Sequence, residues 1–281
     1  MPPRPELARI ALLVTAGVYG TYAILGAVGV PADLRYLALV AAFYLLPAMV
    51  LRRDPERAAR WQVGPDGVIP KLSRRGLAWA AITIVIVFPP FILACFWFYA
   101  QVCRGDYQLL APVMWIEGLT PAAGGLERYL QRFCVGWEGA LFPSDLRWPA
   151  DWESLALPGL GKVHVGVVVG TIFVAAIEVF AIALPEEVFH RGFLMSALEE
   201  RFPPTRRVLG ARLGLGAVLA SLIFALGHLI GMAELARLAT FFPSLLFSYL
   251  WRRSGSLWAP ALFHAAANLL MAVLLASTFP R

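Results

Sequence analysis

The sequence predicts an all-α protein, namely a polytopic transmembrane helical bundle of about seven to eight spans with one long extramembrane loop. Hydrophobic residues make up 59% of the chain and charged residues only 15%, whereas soluble domains carry about 25% charged residues. The mean hydropathy is +0.70, and long apolar stretches recur along the chain, as membrane spans of about 20 residues require. The stretch "LALVAAFYLLPAMV" does not alternate apolar with polar residues, which argues against a membrane barrel.

Seven apolar segments account for the predicted spans. They cover residues 9–30, 36–51, 77–101, 163–184, 213–232, 237–251 and 257–278. The first segment is too long for the apolar region of a signal peptide and has no clear cleavage site, so we interpret it as an anchor. The fourth is predicted to end at Pro185.

The distribution of basic residues predicts the orientation. Segment 52–75 holds seven Lys or Arg against three acidic residues, whereas segment 102–161 holds four Arg against seven acidic residues. By the positive-inside rule, segment 52–75 is cytoplasmic, segment 102–161 lies outside and the N-terminus is inside. Only Lys71 and Lys162 are lysines among 24 basic residues, which suggests a GC-rich bacterial genome and therefore a bacterial inner membrane. The net charge of +6 does not require a nucleic-acid partner.

The long outer loop has two interpretations. It carries Trp115, Trp137, Trp148 and Trp152 and is either a cap on the lipid headgroups or a segment that grips a substrate. Cys103 and Cys134 lie in or beside this loop, where they form a disulfide or remain two free thiols. Cys95, inside the third span, is interpreted as a packing residue.

Four ionisable residues interrupt the end of the fourth span. In "EEVFHR", Glu186 precedes His190 by four residues and Glu187 precedes Arg191 by four, so both pairs meet on one helical surface. In a soluble helix such pairs are usually structural. Ionisable groups next to a membrane span are costly, however, and this favours a functional role.

Two later spans contain further polar residues. His228 follows Phe224 by one turn in the fifth span, and His264 and Asn268 lie one turn apart on one face of the seventh. We expect Glu186, His228, His264 and Asn268 to line one polar chamber within the membrane.

This set of side chains suits the hydrolysis of an amide by water. A carboxylate takes a proton from water, a histidine beside it holds that water, and a second histidine with an amide donates to a developing oxyanion. Neither GxSxG nor HExxH occurs. We predict no cofactor and no metal, although a zinc site of two histidines and one carboxylate stays open.

The motifs EExxxR, FxxxH and HxxxN occur in this order in successive apolar segments, and this pattern resembles the CPBP family of type II CAAX prenyl endopeptidases and bacteriocin-processing, or ABI, membrane proteins. The resemblance covers residues 165–278 and implies a glutamic intramembrane protease. Carried over, Glu186 and His228 activate water, His264 and Asn268 form the oxyanion site, and Glu187 and Arg191 support them. It also implies a division into residues 1–161, with anchor spans and the outer loop, and 162–281, the catalytic membrane core.

The substrate is less defined. The resemblance implies a membrane-anchored protein or peptide, with a myxosortase-like cleavage of C-terminal sorting helices as one option, and the lipid bilayer as the surroundings. A non-catalytic scaffold or chaperone of the same fold is the alternative. The expected spans also leave Glu186 and His228 about 20 Å apart in depth, so the chain must bend near Pro185 or Gly192, or add a span near residues 186–201.

Overall fold

The computed structural model describes residues 4–64, 69–102, 155–157, 161–163, 172–232 and 235–278. The four tryptophans of the predicted outer loop lie outside these residues. Cys103 and Cys134 do so as well, and the choice between a disulfide and two free thiols stays open. Cys95 is half-buried and is a free thiol.

The N-terminal part of the chain is helical. Its helices are α1 (Glu6–Ala27), α2 (Ala32–Leu51), α3 (Pro55–Trp61) and α4 (Arg74–Val102). Helices α1 and α2 and the Arg74–Cys95 part of α4 are long and apolar enough to cross a membrane, and no more than 17% of each apolar window is buried inside the protein. Such uncovered apolar faces require lipid around them. The chain is therefore an all-α integral membrane protein.

Helix α3 was not predicted, and its N-terminus explains it. Asp54 is the N-cap and accepts a hydrogen bond from the Arg57 backbone N–H at 3.2 Å, and Pro55 occupies the first helical turn. Both features stabilise a helix start.

The motif helix, α5, covers residues 172–201 without a break. Within it, π-helical turns at Glu178–Ala183 and Val188–Met195 alternate with α-helical turns. The predicted end of the fourth span at Pro185 is therefore wrong, and neither a bend back at this residue nor a separate extra span is formed.

Two tyrosines of α2 explain how α5 passes through Pro185. Proline has no N–H to donate to a carbonyl of the preceding turn, which leaves an acceptor without its donor at that level. The hydroxyl of Tyr36 donates to the Ala181 carbonyl at 3.0 Å, and that of Tyr44 donates to the Phe180 carbonyl at 3.1 Å. Residues four and five positions before Pro185 thus receive hydrogen bonds from another helix.

Two strands and three α-helices follow α5 in the described residues. Strands β3 (Arg206–Val208) and β4 (Ala211–Leu213) pair antiparallel, as β1 (Leu155–Leu157) and β2 (Gly161–Val163) do earlier in the chain. Helix α6 covers Leu215–Met232, α7 covers Phe241–Ser254 after a 3₁₀ turn at Leu235–Thr240, and α8 covers Trp258–Thr278. The predicted sixth span, 237–251, therefore begins later as an α-helix and ends later.

The chain divides into two compact units. One comprises Met1–Ile82 and Ala176–Ala265, and the other comprises Thr83–Ala175 and Ala266–Arg281. The first unit contains α1–α3, the motifs of α5, both β3 and β4, α6 and α7. The expected division between residues 161 and 162 stays a prediction.

The core of the first unit is built on α5. Leu184, Val188 and Phe193 are almost completely buried and pack with residues of α1, α2, α3 and α8. Gly192 permits this packing, because a Cβ there would lie 3.0 Å from the Trp61 carbonyl oxygen and 2.8 Å from a Val63 methyl. The core holds the ionisable residues of α5 at fixed positions.

Candidate functional site

Glu187 is at the centre of a buried ionic cluster. Its side chain has no exposed surface, and its two carboxylate oxygens contact different partners. Oε2 lies 3.1 Å from Nε of Arg191, and Oε1 accepts a hydrogen bond from Nδ1 of His264 at 3.0 Å. The i,i+4 pair expected from the sequence is thus present, and α8 is joined to α5 through the same carboxylate.

Glu186 faces the other side of the same histidine. Its Oε2 lies 3.9 Å from Nε2 of His264, which is too long for a direct hydrogen bond. This oxygen is buried and has no hydrogen-bond partner among the described residues. His264 therefore lies between two adjacent glutamates, of which Glu187 is occupied and Glu186 is open.

Arg191 is held from three directions. Besides Glu187, its Nη2 donates to the Ser244 hydroxyl at 2.6 Å and to the Ser244 carbonyl at 3.2 Å. Its guanidinium also lies over the rings of Phe224, at 4.5 Å, and Phe247, at 5.0 Å. Such a fully buried cation is tolerable only with these contacts.

Phe224 brings the three histidines into one cluster. Its ring centroid lies 4.4 Å from that of His228, 5.0 Å from that of His190 and 6.0 Å from that of His264. Nδ1 of His228 lies 3.0 Å from the Phe224 carbonyl oxygen. Because a carbonyl oxygen only accepts, this nitrogen carries the hydrogen, and Nε2 of a neutral His228 is an acceptor. His190 of α5 and His228 of α6 both contact this ring, so the difference in depth that the sequence predicted between these two helices is absent here.

His190 does not bond the Glu186 carboxylate that its spacing predicts. Its Nδ1 donates instead to the Glu186 backbone carbonyl at 2.9 Å, and its Nε2 lies 2.8 Å from the hydroxyl of Tyr19. Both ring nitrogens are thus engaged, and neither is left for the Glu186 carboxylate. In the neutral imidazole, Nε2 accepts, so Tyr19 donates. The Glu186 carboxylate is therefore not used by His190.

Asn268 lies one turn after His264 on α8 and is half-buried. It belongs to the second compact unit, whereas the other predicted site residues belong to the first.

In the described part of the chain, no group of three His, Cys, Asp or Glu side chains has the geometry of a metal site.

Sequence reasoning missed Tyr19, whose hydroxyl contacts His190. Tyr19 lies on α1, outside all three motifs. One local signal was present, since Gly227 directly precedes His228 and a Cβ there would lie 2.3 Å from the Tyr19 ring. A glycine at this point of an apolar helix indicates close approach of another element.

The fold and these residues define an integral membrane protein with carboxylates and histidines buried inside its helical bundle. Residues 168–270 match the family model described as "Type II CAAX prenyl endopeptidase Rce1-like". The match covers 103 of the 281 residues and is consistent with the CPBP family. The match supports an intramembrane protease, which implies a membrane-anchored peptide substrate and a lipid environment. No curated protein and no solved structure matches the chain.

Proposed function

We propose that this protein hydrolyses a peptide bond of a membrane-anchored substrate, with Glu186 as the base that activates water. One observation carries the proposal. Of two adjacent glutamates, Glu187 is bound by Arg191 and His264, while the buried Oε2 of Glu186 has no hydrogen-bond partner within the described residues and faces Nε2 of His264 at 3.9 Å. This oxygen can therefore accept a hydrogen bond from the attacking water.

The chemistry follows from the donors and acceptors present. Glu186 takes a proton from the water, whose oxygen bonds to the substrate carbonyl carbon, and the carbonyl electron pair moves onto oxygen. Nε2 of His228 accepts from the water and orients it. When the tetrahedral intermediate collapses, the C–N bond breaks and Glu186 returns the proton to the leaving amine.

His264 and Asn268 are the proposed oxyanion donors. Nδ1 of His264 donates to Glu187, and this bond orients the ring so that Nε2 is the donor to the oxyanion, with the Asn268 amide as second donor.

The test uses the full-length chain in lipid and the processing of a native-host substrate. Glu186→Gln should lower cleavage by roughly 10²-fold or more and leave the melting temperature nearly unchanged. Glu199→Gln is the matched control, because Glu199 lies on the same helix and pairs with Arg252 away from the site. Normal processing by a folded Glu186→Gln variant would instead favour a non-catalytic scaffold or chaperone.

Zinc-dependent hydrolysis of the peptide bond is a second candidate mechanism, and one observation favours it. His264 and His228 both use Nδ1 in hydrogen bonds, to Glu187 and to the Phe224 carbonyl, and metal-ligating histidines are usually oriented in this way. Against it, no three His, Cys, Asp or Glu side chains of the described residues have the geometry of a metal site. Cleavage lost to a chelator and restored by zinc would establish this mechanism, whereas full activity in chelator would support the metal-free one.

The finer assignments are parts of the same proposal. We infer that the protein lies in a bacterial inner membrane with its N-terminus inside. We also infer that its substrate is a peptide or a C-terminal sorting helix of the kind that a myxosortase would cleave. With Cys95, Cys103 and Cys134 changed to serine, modification of single cysteines introduced at Arg53 and at Trp115 by an impermeant thiol reagent checks the orientation. Only the position at 115 should react from outside.

A further inference from the structure

The hairpin of β3 and β4 has an unusual turn. Leu209 and Gly210 connect the strands with φ values of +44° and +86°, which is the two-residue turn that favours Asn-Gly or Asp-Gly. Glycine adopts this conformation without penalty, but leucine is disfavoured there. The Leu209 side chain is also 81% exposed. In water, leucine at this position would gain nothing from either its conformation or its surroundings.

The tip of this hairpin packs among residues of the kind found at the membrane–water boundary. The Leu209 carbonyl accepts from the Tyr249 hydroxyl at 3.3 Å, near the end of α7. Gly210 packs against Arg253, whose guanidinium lies 4.4 Å from the ring of Trp79, near the start of α4. Tyrosine and tryptophan next to arginine at the ends of apolar helices are typical of the headgroup region.

The strands of the hairpin carry unpaired positive charge. Arg206, Arg207 and Arg212 are exposed, and none of them has an acidic partner among the residues that the structure describes. Arg207 and Arg212 are direct cross-strand partners, so their Cβ atoms lie about 4.5–5.5 Å apart on one face. Like charges at this spacing repel unless an anion lies between them.

We propose that this hairpin binds the phosphate group of an anionic phospholipid, with Arg207 and Arg212 on the phosphate and Leu209 among the acyl chains. A phosphate bound by two guanidiniums removes the cross-strand repulsion. Acyl chains provide an apolar environment for the exposed leucine and a reason for its unfavourable conformation. The hairpin thus fixes the start of α6 to the bilayer surface, independently of the proposed catalytic reaction.

Lipid selectivity tests the arginines. The purified full-length chain in neutral detergent is titrated with phosphatidylglycerol or phosphatidylcholine, and bound lipid is counted by native mass spectrometry. The wild type should prefer phosphatidylglycerol, and Arg207→Gln with Arg212→Gln should weaken that binding roughly tenfold or more. The control, Arg52→Gln with Arg53→Gln, removes the same charge from exposed positions without an apolar tip. Equal losses in both double variants, or no preference in the wild type, would overturn the proposal.

Leu209→Asn tests whether the tip of the hairpin lies in water or in lipid, because these two locations predict opposite results. Asparagine suits the left-handed turn, so a tip in water should give a higher melting temperature in every environment. A tip in lipid should give a smaller stabilisation by phosphatidylglycerol nanodiscs than the wild type shows. A gain in melting temperature equal in detergent and in phosphatidylglycerol nanodiscs would contradict the inference.

Discussion

At the scale of single residues, Glu187 and Arg191 stabilise the site rather than react. Both are completely or almost completely buried, and each is the other's charge partner. Arg191→Ala leaves the carboxylate uncompensated, and we expect a loss of about 3–5 kcal/mol in unfolding free energy, with lower folded yield and lower activity together. Thermal melts in nanodiscs measure the effect.

Arg201→Ala is the matched control for this change, because Arg201 lies on the same helix and is exposed. A well-folded Arg191→Ala variant without activity would show that Arg191 contacts the substrate. Glu187→Gln should likewise weaken the protein while leaving measurable cleavage, in contrast to Glu186→Gln.

Tyr19 positions the turn of α5 that carries Glu186. Its hydroxyl is the donor to His190, which in turn donates to the Glu186 carbonyl. Tyr19→Phe keeps the ring but leaves Nε2 of His190 without this donor, which should cost about 1–3 kcal/mol. Tyr22→Phe is the control, because Tyr22 lies on the same helix, where its ring contacts Arg35. Equal melting temperatures for the two variants would show that the Tyr19 hydrogen bond has no structural effect.

At the scale of elements, α2 stabilises the irregular part of α5. We expect Tyr36→Phe and Tyr44→Phe each to lower the unfolding free energy by about 1–3 kcal/mol, since each leaves a helix carbonyl without its donor. Circular dichroism melts of the single variants measure this. The proline creates the need for both hydroxyls, so Pro185→Ala should reduce the penalty of the double tyrosine variant. An unchanged penalty in the Pro185→Ala background would disprove this explanation.

At the scale of the whole molecule, the N-terminal residues hold the family-matched segment in place. Arg57 pairs with Glu200 of α5 at 3.0 Å, and Gln62 bonds both the Gly255 carbonyl at 2.7 Å and the Leu257 N–H at 3.0 Å. We therefore expect residues 162–281 expressed alone to be degraded. Co-expression with residues 1–161 should restore a complex that co-purifies. A stable, cleaving 162–281 fragment would show that these contacts are dispensable.

The sequence predicted the residues of the site better than their connections. Helical spacing predicted the Glu187–Arg191 pair, because both partners are side chains on one helix. It did not predict that His264 would contact Glu187, since that contact depends on how α8 packs on α5. The continuous α5 and the Tyr36 and Tyr44 bonds were missed for another reason. Proline is a general signal for interruption, and the compensating donors come from a helix more than 130 positions away in the chain.

The tyrosine bonds to α5 have a consequence for how this protein diverges. Tyr36 and Tyr44 recognise main-chain oxygens, and Tyr19 reaches a third through His190. Every amino acid carries the same carbonyl, so residues 180 and 181 are free to change identity without any compensating change in α2. Correlated substitutions in related sequences are therefore not expected at these two contacts. The N-terminal helices can diverge in sequence as long as a hydroxyl group occupies the same position.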